Sequence, residues 1–388
     1  MYLLRAPYFL WLLTSNWLGR LPSAMSFIAV PLALREVGAG FGFIGVATGT
    51  VAIAAAVGAP LLGRLVDRVG QVRVLVPCSI VAAVGFGAVA VAPRVDVVVI
   101  VGAVLAGAAT PPLEPCLRVL WPDIVGKDRL ERAYAIDSAA QEMVFICGPL
   151  VVAACVALVS PVFALWTAAV LGVLGVVIFA VASPVRAWRP EPRVPDWLGP
   201  LRSTGLAVLL GGLAGAGFAI GVLTVLVVSY AERHHVTGGA PMLLALNAGG
   251  ALVGALTYGA VKWRTATRRR AVGAAAGLAV GYALLSIVPS PPYMALLMVI
   301  TGLFLAPLLT ATFVLIGELA PRGTTTEAFA WLITLFAFGN SAGSAVVGVV
   351  IDGAGLHWAA ACSVLGTGWC LVALLGGYRL LTPVASGR

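Results

Sequence analysis

The sequence predicts an all-α membrane protein of twelve transmembrane helices arranged as two six-helix pseudo-repeats. Three observations carry that prediction: an apolar composition, the spacing of the apolar runs, and an ordered set of internal matches. Of 388 residues, 61% are hydrophobic and only 10% charged, with a mean hydropathy of +1.05, far outside the range of soluble domains. At about 20 to 22 residues per span, a dozen spans consume roughly 250 residues and leave loops averaging about ten. No room remains for a separate soluble domain, and the chain has no G-x-x-x-x-G-K-[ST] phosphate loop. An appended ATPase, kinase or nucleic-acid-binding module is thereby excluded, so energy must come from gradients or from a partner.

Apolar runs bounded by charges, prolines and glycines fall at about 8–33, 41–62, 74–92, 96–120, 134–159 and 162–182. Six more follow at about 203–230, 240–261, 271–289, 292–317, 325–350 and 356–378. The net charge of +9 would suggest nucleic acid in a soluble protein, but here the basic residues sit in short segments between apolar runs and no nucleic-acid partner is expected. With both termini cytoplasmic, the cytoplasmic segments hold 20 of the 24 basic residues, from Arg5 through Arg64, Arg68 and Arg73, Arg118 to Arg132, Arg186 to Arg202, Lys262 to Arg270 and Arg322 to Arg379 and Arg388. Only Arg20, Arg35, Arg94 and Arg233 fall elsewhere. Arginine outnumbers lysine 22 to 2, with Ala, Gly and Val abundant, a pattern of GC-rich coding that points to a high-GC bacterium; the expected location is the bacterial inner membrane. The first run follows a single Arg5 and lacks an A-x-A exit, so it reads as an uncleaved first span.

Between the sixth and seventh runs, Ser183 to Arg202 carries five prolines and four arginines. Such a segment cannot continue a helix and reads as a semi-rigid linker. The expected organisation is a six-helix bundle over 1–182, the linker over 183–202 and a second bundle over 203–388. The halves match at an offset of 195: Gly107-x4-Pro112-Leu113 recurs as Gly302-x4-Pro307-Leu308, Ala133-Tyr134-Ala135 as Ala328-Phe329-Ala330, and Gly148 as Gly343. At an offset of 196, Gly58-x4-Gly63 lies on Gly254-x4-Gly259, so one indel reconciles the two registers. Parallel repeats of six spans are the architecture in which two bundles rock about a central site.

Six cysteines are scattered singly over the apolar runs, with no C-x-x-C pair and no histidine at metal-ligand spacing. No cofactor and no metal are expected. No Ser/His/Asp set stands out, so the chain does not read as an enzyme.

The loop after the second run reads Gly63-Arg64-Leu65-Val66-Asp67-Arg68-Val69-Gly70-Gln71-Val72-Arg73. It resembles the G-x-L-x-D-R-x-G-R-[RK] signature of the major facilitator superfamily, and with twelve spans in duplicated halves the resemblance covers the whole chain. It implies that Gly63, Asp67, Arg68, Gly70 and Arg73 form a cytoplasmic gating motif, with Asp67 held against the start of the eleventh helix. That helix begins Thr324-Thr325-Thr326-Glu327, whose free N–H groups and positive dipole end suit a carboxylate. Asp67 could instead cap or pair locally with Arg64 or Arg68. Gln71 departs from the basic residue of the signature, and the equivalent second-half loop, Lys262 to Arg270, has no acid, so the latch is expected to be one-sided. Gly148-Pro149 in the fifth span resembles the core of the antiporter signature of drug-exporting members, although Val144, Val151 and Val152 replace its flanking glycines.

An ionisable side chain within a span costs on the order of 3 kcal/mol or more and marks a functional position. Arg20, Glu114, Asp137 and Glu142 are such residues. Arg20 and Glu142 lie about 13 to 15 Å deep at 1.5 Å per residue, and a pair between them would make both tolerable. Glu142, with Asp137, then reads either as a proton or cation exchanger held by Arg20 or as part of a permanent ion pair. Glu114 and Arg118, four apart with the acid first, favour a local bridge, while Pro111-Pro112-x-x-Pro115 breaks the helix beside it. Asn16 and Gln141 extend the polar set or bond between helices. The second half offers Asn247, Asn340 and Trp331 as hydrogen-bonding and aromatic contacts. The expected activity is proton-coupled efflux of a small hydrophobic or amphipathic compound by alternating access, by a monomer in the bilayer. An uptake symporter for a polar nutrient would need more hydrogen-bonding side chains, and a membrane-embedded enzyme or sensor is the remaining alternative.

Overall fold

The computed structural model describes residues 6–192, 198–261 and 263–382. Arg5, Arg193, Pro195, Lys262 and Arg388, which enter the charge and linker patterns, lie outside the described residues. Fourteen α-helices and no strands occur among those described: α1 (Phe9–Glu36), α2 (Phe41–Val69), α3 (Gln71–Val91), α4 (Asp96–Ala108), α5 (Leu113–Val125), α6 (Leu130–Leu158), α7 (Pro161–Ala180) and α8 (Ser183–Ala187). They continue with α9 (Thr204–Arg233), α10 (Gly239–Ala260), α11 (Thr267–Leu285), α12 (Pro291–Leu319), α13 (Thr325–Ala354) and α14 (Leu356–Gly376).

Eleven stretches are long and apolar enough to cross a membrane, the pair α4 and α5 counting as one from Asp96 to Val125. The twelfth expected span is α11, which opens with Thr267-Arg268-Arg269-Arg270 and is correspondingly less apolar. The fourth span is interrupted because Pro111 and Pro112 supply no N–H to the carbonyls a turn earlier. The linker is not free of helix as expected: Ser183–Ala187 forms a short one with proline in its first turn, where a missing N–H is no loss. Serine caps start two long helices, Ser160 accepting from the Phe163 N–H at 3.1 Å and Ser203 from the Leu206 N–H at 3.4 Å.

Two compact units emerge. The first comprises Met1–Arg129, Ala140–Val194 and Arg322–Ala330; the second comprises Leu130–Ala139, Pro195–Pro321 and Trp331–Arg388. Within unit 1, α1 packs on α7, α2 on α4, and α3 on both α4 and α7. Within unit 2, α9 packs on α14, α10 on α12, and α11 on both α12 and α14, the same pattern transposed. Large apolar side chains such as Ile53, Val57 and Leu61 on α2 and Leu365, Trp369 and Val372 on α14 remain exposed. In a multi-pass membrane protein lipid covers such faces.

Lipid tails are as apolar as leucine, so helices in a membrane gain little by merely hiding oily surface. Close backbone approach through small residues takes that role. A side-chain carbon at Gly58 would fall on the Ala108 carbonyl oxygen, and one at Gly254 on that of Leu303; Gly107 sits likewise on Val51, and Gly302 on Asn247. Every one of these contacts is its counterpart's image, with α2 and α10 related by 196 residues and α4 and α12 by 195. Gly85 beside Ala106 and Gly281 beside Thr301 repeat it for α3 and α11, again at 196 and 195. The one-residue difference between repeats therefore falls between Gly85 and Asp96.

This packing makes a direct prediction. Gly302→Leu forces the α10 and α12 backbones apart and is expected to destabilise the protein by roughly 3 kcal/mol, read as a lower thermal midpoint in detergent. Gly273→Leu, at a site with nothing near a new side-chain carbon, serves as the control and should leave the midpoint nearly unchanged.

Candidate transport and gating sites

The break in the fourth span positions the first cluster. Chain residues 109–112 leave α4, and α5 restarts at Leu113, which puts Glu114 in the first turn of the new helix, at the positive end of its dipole. Arg20 on α1 donates from NH2 to Glu114 Oε2 at 2.6 Å, and Arg118 one turn along α5 reaches Glu114 Oε1 at 2.5 Å. Each carboxylate oxygen thus receives a guanidinium. Asn16, one turn before Arg20, donates to the Leu113 carbonyl at 2.6 Å. Arg20, Arg118 and Asn16 are all buried, and charge-assisted bonds of this kind are what makes burial of such groups tolerable.

The expected pair of Arg20 with Glu142 does not form. Arg20 is engaged with Glu114, while Glu142 on α6 makes no hydrogen bond or ion pair among the described residues. The reason is the proline break, which presents Glu114 to α1 in a way that straight-helix depth arithmetic cannot foresee. Asp137, one to two turns earlier on α6, is fully buried and belongs to unit 2, whereas Gln141 and Glu142 belong to unit 1. Gln141 Oε1 is buried with no hydrogen-bond partner among the described residues, and so is Trp331 Nε1 in unit 2. Helix α6 runs unbroken through Gly148 and Pro149, and a side-chain carbon at Gly148 would lie 2.6 Å from the Ala24 Cβ on α1.

In the second unit, Asn247 is spent on packing, donating to the Met298 carbonyl and to Thr301 Oγ1, each at 3.0 Å. Asn340 lies on α13, where its main-chain carbonyl meets Gly221 on α9.

The second cluster is built on the turn between α2 and α3, a single residue long. Gly70 adopts φ +99°, a conformation that glycine accepts without strain. Just before it, Asp67 is buried and receives the first turn of α13: the Thr326 N–H reaches Oδ1 at 3.2 Å and the Glu327 N–H reaches Oδ2 at 2.9 Å. A carboxylate there satisfies two N–H groups that a helix start leaves open. Arg64 donates from Nε at 3.0 Å and NH2 at 2.7 Å to Glu327 Oε1, a pair that the motif did not announce. Gly63 allows the approach, since a side-chain carbon there would lie 3.0 Å from both Ala330 Cβ and Glu327 Cα. Gln71 is buried and donates to the Cys116 carbonyl at 3.1 Å, which accounts for an amide where the signature has a base. Arg68 and Arg73 are exposed.

A third cluster was missed in the sequence because it joins residues from α6 to α10 and α11. Arg132 donates from Nε to the Gly259 carbonyl at 2.7 Å and from NH2 to that of Ala260 at 3.2 Å. Glu131 holds Arg270 through two bonds of 2.5 and 2.6 Å, and Arg270 also reaches Tyr258 Oη at 2.9 Å. The second-half loop, expected to lack a latch for want of an acid, is engaged after all, with the acid supplied by α6. The repeat register, which lays Arg132 on Glu327, was the signal that could have found it.

Comparison with known proteins agrees with the geometry. The Major Facilitator Superfamily profile matches residues 12–330. No curated protein sequence matches the chain. Among solved structures, the human organic anion transporter TETRAN is similar at 16% identity and TM-score 0.75, over 97% of this chain and 100% of that one. A bacterial homologue of the iron transporter ferroportin, in an outward-facing state, gives 14% and 0.78 over 96% and 99%. The E. coli fucose:proton symporter gives 14% and 0.72 over 95% and 98%. At such identities the structures share a fold, and their cargoes remain their own. Family and structural neighbours alike are membrane transporters rather than enzymes, and with four fifths of its length inside the profile this chain belongs to the Major Facilitator Superfamily.

Proposed function

We propose that the protein is a monomeric bacterial inner-membrane antiporter with both termini in the cytoplasm, exporting a small hydrophobic or amphipathic compound in exchange for protons. The observation that carries this reading is Glu142, an acid inside a spanning helix that no guanidinium or hydrogen bond among the described residues compensates. A carboxyl so placed crosses between aqueous faces at low cost only when neutral or when a cation accompanies it. Arg20, by contrast, is compensated by Glu114 in place. The ion pair is thus a fixed part of the site and Glu142 its exchangeable one.

In this scheme an amphipathic substrate bearing a positive charge displaces the proton of Glu142 and compensates its carboxylate, and the empty carrier returns after reprotonation. One buried polar atom without a partner among the described residues, Gln141 Oε1, offers an acceptor to a largely apolar cargo. Release of Asp67 from the first turn of α13 opens the cytoplasmic side. The 1–182 and 203–388 bundles are the moving parts and the 183–202 linker their tether.

Two measurements test the proposal. In proteoliposomes with an imposed pH gradient and a lipophilic fluorescent dye as cargo, Glu142→Gln is expected to abolish dye-dependent proton movement while gradient-free exchange persists; full coupling in that variant would remove the assignment. Asp67→Asn keeps the shape of the side chain but loses its charge on the helix start, and about 1 kcal/mol or more of latch energy with it. It is expected to lower the transport rate several-fold and leave dye affinity nearly unchanged, as dye-binding titrations would reveal.

A further inference from the structure

Helices α1, α2, α3, α4 and α7 enclose a cavity of about 90 Å³ inside unit 1. Small residues make the room. Ala82 of α3, Ala106 of α4 and Ala168 of α7 stand on its walls, and Phe86 supplies a buried aromatic side. The hydroxyls that line it are already used: Ser26 donates to the Ser23 carbonyl at 2.9 Å, Ser79 to that of Val76 at 2.8 Å and Thr110 to that of Ala106 at 2.9 Å. With those donors spent, the space suits an apolar guest better than water, which needs about two to four polar partners.

The fold does not require this cavity, because the second repeat fills the same place. In the registers that relate α2 to α10, α3 to α11 and α4 to α12, the wall residues Val51 and Ala106 become Asn247 and Thr301, whose side chains meet in a 3.0 Å hydrogen bond. Ala82 becomes Leu278, which is buried, and Thr110 becomes Leu305. An unfilled apolar space forgoes dispersion contacts and costs stability. Larger side chains are compatible with the architecture, and unit 1 lacks them.

The exposed rim consists of Ser23 and Phe27 on α1 and Ala52 on α2. At 3.6 residues per turn, Ala52 and Ala55 project from the side of α2 opposite the Ile53, Val57 and Leu61 stripe that lipid covers, so on that helix the opening is turned away from lipid. The Ser23 hydroxyl makes no hydrogen bond among the described residues, which leaves a polar group at the rim. The inner end is bounded by Gly19 and Pro111, beside Arg20 and the chain break that positions Glu114.

We infer that this cavity seats the apolar end of the cargo and admits a group the size of one phenyl ring. The inference rests on the antiporter reading above and specifies its substrate class, an organic cation with a single ring seated in unit 1 and its charge left at the rim. Volume sets the limit. An enclosed apolar cavity of roughly 150 Å³ holds benzene; this smaller one, open at its rim, holds a ring whose substituent stays outside, and a fused pair of rings exceeds it.

Calorimetric titration of the protein in nanodiscs provides the test, with benzyltrimethylammonium and (1-naphthylmethyl)trimethylammonium as probes. The parent is expected to prefer the benzyl compound. Ala82→Leu and Thr110→Leu, which copy the second repeat, should each lower the affinity for it roughly tenfold while the thermal midpoint stays at or above that of the parent. Phe86→Leu enlarges the space and should turn the preference toward the naphthyl compound, a gain that a misfolded protein cannot show. Parent-like benzyl affinity in both filling variants would overturn the seat, and loss of bound phospholipid from them at that unchanged affinity, read by mass spectrometry, would assign the cavity to lipid instead. If the filling variants keep parent affinity while Glu142→Gln uncouples benzyltrimethylammonium from proton movement in proteoliposomes, the seat alone fails. If they lose the benzyl compound while Glu142→Gln stays fully coupled, the antiporter assignment fails and the cavity stands as a binding site.

Discussion

Charge cannot stand alone where there is no water, and this constraint shapes the centre of the first unit. Glu114 lies between Arg20 and Arg118, one guanidinium on each oxygen, because any looser arrangement would leave a buried charge uncompensated at a cost of several kcal/mol. The arrangement depends on the backbone. Pro111 and Pro112 end α4 early, and the restart at Leu113 puts the acid at a helix N-terminus facing α1. One interruption of a helix therefore decides which acid neutralises Arg20.

Around that centre the helices are held by approach rather than by oiliness. Glycines at corresponding positions of the two repeats press one backbone onto a carbonyl of the next, gaining dispersion contacts that lipid cannot match. Two repeats that descend from one pattern keep these glycines in register, so α2 meets α4 as α10 meets α12. Polar chemistry has been free to diverge: the pair Asn247 and Thr301 braces the second unit where the first has Val51 and Ala106.

The helix starts that seat on α2 and α10 combine both rules. Glycine at 63 and at 259 gives room, and a full charge meets a partial one at the end of a helix. Unit 1 takes Arg322–Ala330 from the sequence half that otherwise builds unit 2, and unit 2 takes Leu130–Ala139 in return. Each exchanged stretch is short and polar at its start, so a modest number of hydrogen bonds governs it.

Composition and the spacing of apolar runs determined the all-helical membrane fold, because burying about twenty residues per span in lipid leaves the backbone no alternative but the helix. The duplicated glycines made the pseudo-repeat legible, and the Gly63 to Arg73 motif located Asp67, since both signals are local in the chain. Partner choice was not local. Arg20 with Glu114 rather than Glu142, Arg64 with Glu327, and Arg132 with the end of α10 each join residues more than ninety positions apart, and a side chain's partner is whichever compensating group the packed backbone brings within about 3 Å. The sequence by itself determined which groups need compensation; tertiary structure decided which of them receive it, because electrostatic pairing acts over a few ångströms in space and is blind to distance along the chain.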